Sequence, residues 1–337
     1  ILKNHKIEFW NFSRDSKDRK KTLKRSFPRI QEMKRDREIA FGTQSLGFLD
    51  NLRKIREGSL AVHYTDNHGR TVLHYAATDG IVDVVKELIQ RGADVNFHDN
   101  VRRTALHYAS KNGNVDVAKE LIRRGGDVDY REKEFKSPLH LAVRYGHLDV
   151  VNVLIENGAD VNARNRADEG KTPLHYAAQY SKSHEHLQTL LQYGAKLKAR
   201  ARNNLTALHT AAAFGSPQKI KVFLDAGDDI NIRSKDGRNV LHYASAQNKP
   251  DNIVFLIESG VKAKAKTKTG QSALHIAASN SMIENIKVLV KLGADLNASD
   301  KEGLSPLHNA AVSEHVKLNL PLSGKIRQHS RIHQQPQ

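Results

Sequence analysis

Eight histidines recur inside a Leu-His pair: His74, His107, His140, His175, His209, His242, His275 and His308. Their intervals are 33, 33, 35, 34, 33, 33 and 33 residues. Imidazoles are the commonest ligands of zinc and the commonest general bases, so a metal array or acid–base chemistry is the first reading to weigh. It fails on geometry. A zinc site needs several ligands converging at about 2 Å, whereas here each structural unit supplies one ligand and the next lies a whole unit away. The motif histidines are therefore read as structural. His184 and His186, which flank Glu185, are read as solvated loop residues without partners. There is no Gly-x-Gly-x-x-Gly, phosphate-binding loop, His-Glu-x-x-His or nucleophile elbow, and no cysteine. The expectation is a chain without metal, cofactor or small-molecule substrate that binds rather than catalyses.

What must position these histidines is a repeated pair of helices. Each copy begins with Thr, Ser or Asn, three residues before the histidine: Thr71, Thr104, Ser137, Thr172, Thr206, Asn239, Ser272 and Ser305. All three residue types are good helix N-caps. Pro138, Pro173 and Pro306 follow directly, where a missing N–H costs nothing. In the first copy Leu73, Ala76 and Ala77 are spaced i, i+3, i+4, and so are Val84, Val85, Leu88 and Ile89. Gly80 separates the two sets and Gly92 ends the second. The spacing predicts helix, turn, helix, then a polar loop. Leu88, Leu121, Leu154, Leu190, Phe223, Leu256 and Leu289 recur four residues before the ending glycine, as the core of stacked units requires.

Thr/Ser-x-Leu-His-x-Ala, an internal Gly, paired Leu and a closing Gly-Ala-Asp-x-Asn together resemble the ankyrin repeat, over about residues 60–311. The resemblance implies an all-α solenoid of helix-turn-helix units whose loops project as β-hairpin fingers. About seven full repeats, a cap and a partial eighth unit are expected. The organisation read from the chain is a basic extension over 1–40, capping helices and a first finger over 41–70, the array over 71–311, and a disordered basic tail over 312–337. Phe48, Leu52 and Ile55 mark the cap. Ser181, Asn248 and Ser281 stand where the family has Gly, and extra residues near 166–169 and 183–186 predict local distortion. With no polar cap at the far end, Leu274, Leu289 and Leu307 are expected to be poorly sealed.

The resemblance also implies that partners contact the inner-helix residues before the turn and the finger tips. Carried onto this chain, the turn positions include Asn112, Tyr145, Tyr180 and Phe214. Three neighbouring repeats thus offer aromatics in a row, with Lys111, Arg144, Arg103, Lys136 and Lys171 around them, the composition of interface hot spots. Two fingers carry alternating cations: Lys196, Lys198, Arg200 and Arg202, then Lys262, Lys264, Lys266 and Lys268. In an extended strand this spacing would place like charges on one face. Asn96, Asn162 and Asn297 resemble in spacing the asparagines hydroxylated in ankyrin-repeat proteins, although a structural role in the hairpin suffices for them.

Net charge is +17, of which residues 1–60 carry +8 and residues 311–337 carry +3. The run holding Lys17, Arg19, Lys20, Lys21, Lys24 and Arg25 has the composition of a nuclear signal or a polyanion-binding arm. The expected function is a monomeric scaffold or adaptor that holds an acidic protein in its groove, cytoplasmic or, if the basic run is a nuclear signal, nuclear. Attachment to nucleic acid or an anionic membrane through the basic ends and fingers is the alternative. A third is a recognition module within a larger channel, toxin, kinase, ligase adaptor or pathogen effector.

Overall fold

The computed structural model describes residues 44–312, so the basic run at 17–25 and the tail after 312 lie outside the described residues. A lone helix α1 (Gln44–Glu57) precedes seven helix pairs. These are α2 (Val72–Asp79) with α3 (Val82–Gln90), α4 (Ala105–Asn112) with α5 (Val115–Arg123), α6 (Pro138–Tyr145) with α7 (Leu148–Glu156), and α8 (Pro173–Tyr180) with α9 (Glu185–Gln192). Then come α10 (Ala207–Phe214) with α11 (Pro217–Asp225), α12 (Val240–Ala246) with α13 (Pro250–Glu258), and α14 (Ala273–Ser279) with α15 (Ile283–Lys291). An unpaired α16 (Pro306–Val312) follows. First helices pack on first helices and second helices on second helices of the neighbouring pairs. This is an all-helical stack of repeated units in which burial is shared between neighbours only.

Small residues make the stack close. Ala76, Ala109, Ala142, Ala177, Ala211, Ala244 and Ala277 are fully buried in the first helices, and the Leu88 to Leu289 ladder, with Phe223 in its middle, is fully buried in the second helices. Phe48, Leu52 and Ile55 of α1 close one end of this core. At the other end α16 packs on α14 and buries Leu274, and Leu289 is buried too. Only Leu307, 39% exposed, remains unsealed, so the expectation of three poorly covered leucines is corrected to one.

The motif histidine is the joint between units. In the first repeat the Thr71 backbone N–H donates to His74 Nδ1 at 3.0 Å, closing a capping box in which histidine replaces the usual Glu. Because Nδ1 accepts, the proton sits on Nε2, which donates to the Arg103 carbonyl of the next unit at 3.0 Å. His107, His175, His242 and His275 reach the carbonyls of Lys136, Leu205, Gln271 and Leu304 in the same way. His140 and His209 lie buried with Nε2 unpartnered.

One expectation about the connections is corrected. No strand is present among the described residues: the fingers close with single antiparallel bridges at His98–Thr104, Asn165–Lys171 and Lys266–Ser272. Most fingers are held by turn-capping side chains instead, as where Asp99 Oδ1 accepts from the Val101 and Arg103 N–H groups while Tyr108 donates to Oδ2. Of the three residues in place of Gly, only Ser281 is left-handed, at φ 57°. Ser181 ends its helix extended, at φ −64°. The insertion near 166–169 is absorbed by buried Asn165, whose Oδ1 accepts from the Ala167 and Asp168 N–H groups and whose amide donates to Tyr176.

The first helices expose unsatisfied carbonyls at their C-terminal ends. The next repeat fills them with a side-chain donor: Asn114 onto Ala77 and Thr78, His147 onto Lys111, Lys219 onto Ala177 and Ala178, Asn252 onto Ala212, and Asn285 onto Ala244 and Ser245. His186 takes the corresponding buried place in α9, not the solvated loop expected for it, but it donates to none of these carbonyls. It is buried in α9 with neither ring nitrogen at hydrogen-bonding distance of a partner, and burial pulls its pKa down.

Lys219, Asn252 and Asn285 share one register, 33 residues apart, yet only Lys219 brings a charge. It is 5% exposed, and burial, helped by the like charge of Lys249, pulls its ammonium down to about 8. In the unfolded chain a lysine titrates near 10.5. Folding is therefore penalised at every pH below about 8, and the penalty fades as pH rises towards 10.5. Lys219→Asn should raise stability at pH 7 by on the order of 1–3 kcal/mol. Urea unfolding checks this, with the advantage expected to vanish at pH 10.5. An unchanged or lowered midpoint at pH 7 would count against it.

Candidate functional site

The residues before each turn line one edge of the first-helix row. Tyr145 ends α6, Tyr180 ends α8 and Phe214 ends α10, so the three rings come from consecutive repeats. Tyr145 is 48% and Phe214 43% exposed, while Tyr180 is half-buried. Each tyrosine carries a cation from the preceding repeat. Lys111 Nζ lies 5.6 Å from the Tyr145 ring centroid and Arg144 Cζ 4.5 Å from that of Tyr180. Tyr180 also packs on buried Tyr176, with centroids 5.7 Å apart. The arrangement is a stepped series of cation, ring, cation, ring, in which the aromatic face holds the charge in place without neutralising it.

Other cations assigned to this face are committed elsewhere. Lys136 is buried and joined to Glu132 and Glu134, so it is not a surface position. Arg103 pairs with Glu132 from across the repeat boundary. Lys171 bonds Asp168 at 2.9 Å, with Gln179 at 3.5 Å. Asn112 is exposed, but its amide donates to the Thr78 carbonyl at 2.9 Å. What stays available is the ring row with Lys111 and Arg144.

The basic fingers are exposed as their alternation implies, since Lys196, Lys198, Arg200 and Arg202 face solvent, as do Lys262, Lys264, Lys266 and Lys268. The cause is a turn rather than a strand. Ala199 N–H bonds the Lys196 carbonyl and Ala265 N–H that of Lys262. Among the described residues most of these cations have no carboxylate partner. Arg202 lies 3.9 Å from Glu169, and Lys266 donates to the Ser299 carbonyl at 2.8 Å.

The three asparagines divide. Asn96 donates to the Gly125 carbonyl and accepts from the Asp127 N–H, and Asn162 does the same with Gly194 and Lys196. Both amides are thus spent on tying one repeat to the next. Asn297 is exposed, and its backbone N–H bonds Asp295. Among the described residues no three His, Cys, Asp or Glu side chains are grouped to hold a metal ion, and no helix is long and apolar enough to cross a membrane.

Sequence reasoning missed two features that the repeat register could have shown. One is the donor series of Lys219, Asn252 and Asn285, with His186 buried in the equivalent place one repeat earlier. The other is a pair of finger tips, at Arg102 and Phe135, that bear side chains where most repeats have glycine.

Comparison with known proteins agrees with this architecture. The family profile described as Ankyrin repeats (3 copies) matches residues 46–132, 73–165, 125–201, 197–267 and 241–322. No curated protein matches the chain. Among solved structures, the crystal structure of the human ASB11 ankyrin repeat domain is similar, with a TM-score of 0.57 and 28% identity, covering 67% of this chain and 99% of that one. With the profile laid end to end over the helix pairs and a Leu-His motif opening each of them, the chain belongs to the ankyrin-repeat family.

Proposed function

We propose that this chain is a protein-binding scaffold that holds an acidic partner segment against Tyr145, Tyr180 and Phe214. Ankyrin repeats are in general a protein-interaction module. The observation that carries the finer reading is the pair of cations laid on two of the rings, Lys111 on Tyr145 and Arg144 on Tyr180. Burying the rings would supply affinity, and the un-neutralised cations would select carboxylates and speed encounter. A cytoplasmic setting, a monomeric state and the absence of a cofactor belong to the same proposal.

Affinity capture with the whole chain, followed by quantified binding of the recovered partner, tests it. Tyr180→Ala should weaken binding about tenfold and do so equally at high salt, because the lost term is packing. Eight exposed cations on two fingers support a second reading, attachment to a polyanion. In that case affinity would fall steeply with log salt and with Lys-to-Ala changes in the fingers. A groove variant without effect, beside finger variants that abolish binding, would replace the first reading by the second.

A further inference from the structure

The backbone two residues before each N-cap is left-handed in all eight fingers. Glycine occupies this position at Gly69, Gly170, Gly237, Gly270 and Gly303, and asparagine at Asn204. Arg102 at φ 62° and Phe135 at φ 60° break the rule. Glycine and asparagine enter this region readily, whereas a bulky side chain there is an outlier held by its surroundings. These two strained residues occupy neighbouring fingers. They are not there to fill a core: Phe135 is 45% exposed, Val101 on the preceding tip is 40% exposed, and Arg102 is exposed with its guanidinium 5.5 Å from the centre of the Tyr130 ring. The Lys133 N–H donates to the Val101 carbonyl at 2.9 Å, so the two tips are held together. Strain of this kind collects where a side chain is kept for recognition.

The charges around the patch narrow its partner. The two fingers carry Asp94, Asp99, Asp127, Asp129, Glu132 and Glu134, so a phosphate backbone would meet no net positive field. Arg103 and Lys136 are already held by Glu132. Arg102 and Lys133 are exposed and have no carboxylate partner among the described residues. Two exposed apolar residues, Val101 and Phe135, thus stand on neighbouring tips beside two cations that no carboxylate of the described residues pairs. Neighbouring repeats stack at roughly 8–10 Å, and seven residues of α-helix rise about 10.5 Å.

We propose that these two tips dock an amphipathic helix of a protein partner. Its apolar residues at i and i+7 would seat on the two tips, and its flanking carboxylates would meet Arg102 and Lys133. This surface is separate from the aromatic row, and either can hold without the other.

A fluorescein-labelled peptide of about fifteen residues, with Leu at i, i+3, i+4 and i+7 and Glu beside them, is the probe. Its partner in the assay is a scramble of identical composition, and anisotropy with the whole chain is the readout. The ordered peptide should bind about tenfold more tightly than the scramble. Phe135→Gly and Arg102→Gly should each lose about that factor while the thermal midpoint holds or rises, since glycine relaxes the backbone there. Tyr180→Ala should bind the peptide as the parent chain does. The proposal is overturned if the scramble binds equally, if neither peptide binds, or if the glycine variants keep full affinity. It is also overturned if affinity falls only in Tyr180→Ala, which would place the peptide in the groove.

Discussion

Acidification from pH 6.5 to 4.5 should unfold the array, and the motif histidines should be the cause. Burial holds His107, His175, His209 and His242 down to about 4 and His140 down to about 3, from an ordinary value of 6.5. His74 is lowered for the same reason. The geometry explains why a second proton is refused: Nδ1 already accepts the N-cap N–H, so protonating it breaks the capping box that starts the helix. Each of these rings is lowered in the folded state, so its contribution is complete above pH 6.5. It is lost as pH falls, because the unfolded chain takes up protons that the folded chain does not. Each ring costs at most about 1.4 kcal/mol per pH unit in that window. Five together approach 7 kcal/mol per unit, comparable to the roughly 5–15 kcal/mol that holds a domain folded. Carboxylates lowered in the fold, such as Asp66, Glu87 and Asp168, start from 3.8 or 4.5 and weaken the fold only below that window. The urea midpoint should therefore fall steeply between pH 6.5 and 4.5, with a slope reporting on the order of five protons taken up per molecule unfolded. A midpoint that stays flat across this range would show that the rings are accessible to protons in the folded state.

The histidines also show how much could be read from sequence. Their period fixed the unit, and the unit fixed the buried ladder from Leu88 to Leu289, because each position faces its own copy one repeat on. The register also placed Tyr145, Tyr180 and Phe214 in consecutive repeats. It could not assign their charges. Lys136 and Arg103 look like groove cations in one dimension, but Glu132 lies four residues from one and 29 from the other and captures both. His186 looked like a loop residue because the insertion at 183–186 shifts it along the chain. The fold buries it in α9, where neither ring nitrogen has a hydrogen-bond partner. The finger strands failed as an expectation because a turn tied by Asp or Asn side chains satisfies the same backbone groups with one bridge. What the period encodes is what each repeat shares. Departures from it, such as Phe135 and Lys219, need neighbours on both sides before they have a meaning.

Phe223→Ala should divide the molecule rather than merely weaken it. Phe223 is the one aromatic in the ladder, fully buried in α11, which packs on α9 before it and α13 after it. Truncating it leaves a cavity worth about 3–5 kcal/mol. In a compact domain that loss would lower a single transition. In a stack coupled only through neighbours, it falls on one unit and the two interfaces that unit makes. The same stretch already departs from the regular unit. Ser181 and Gly215 both leave the left-handed ending of earlier first helices, and Lys219 supplies a penalised donor where later repeats use asparagine. The expected result is two separate urea transitions in circular dichroism, with smaller slopes than the parent's, because each exposes only part of the surface. Hydrogen exchange should show amides of α2 to α7 outlasting those of α8 to α13. Leu256→Ala, one repeat further on, should lower stability by about 2–5 kcal/mol with less tendency to split. A single transition in Phe223→Ala with the parent's slope would mean that coupling extends past nearest neighbours, and that the central repeats are no weaker than the rest.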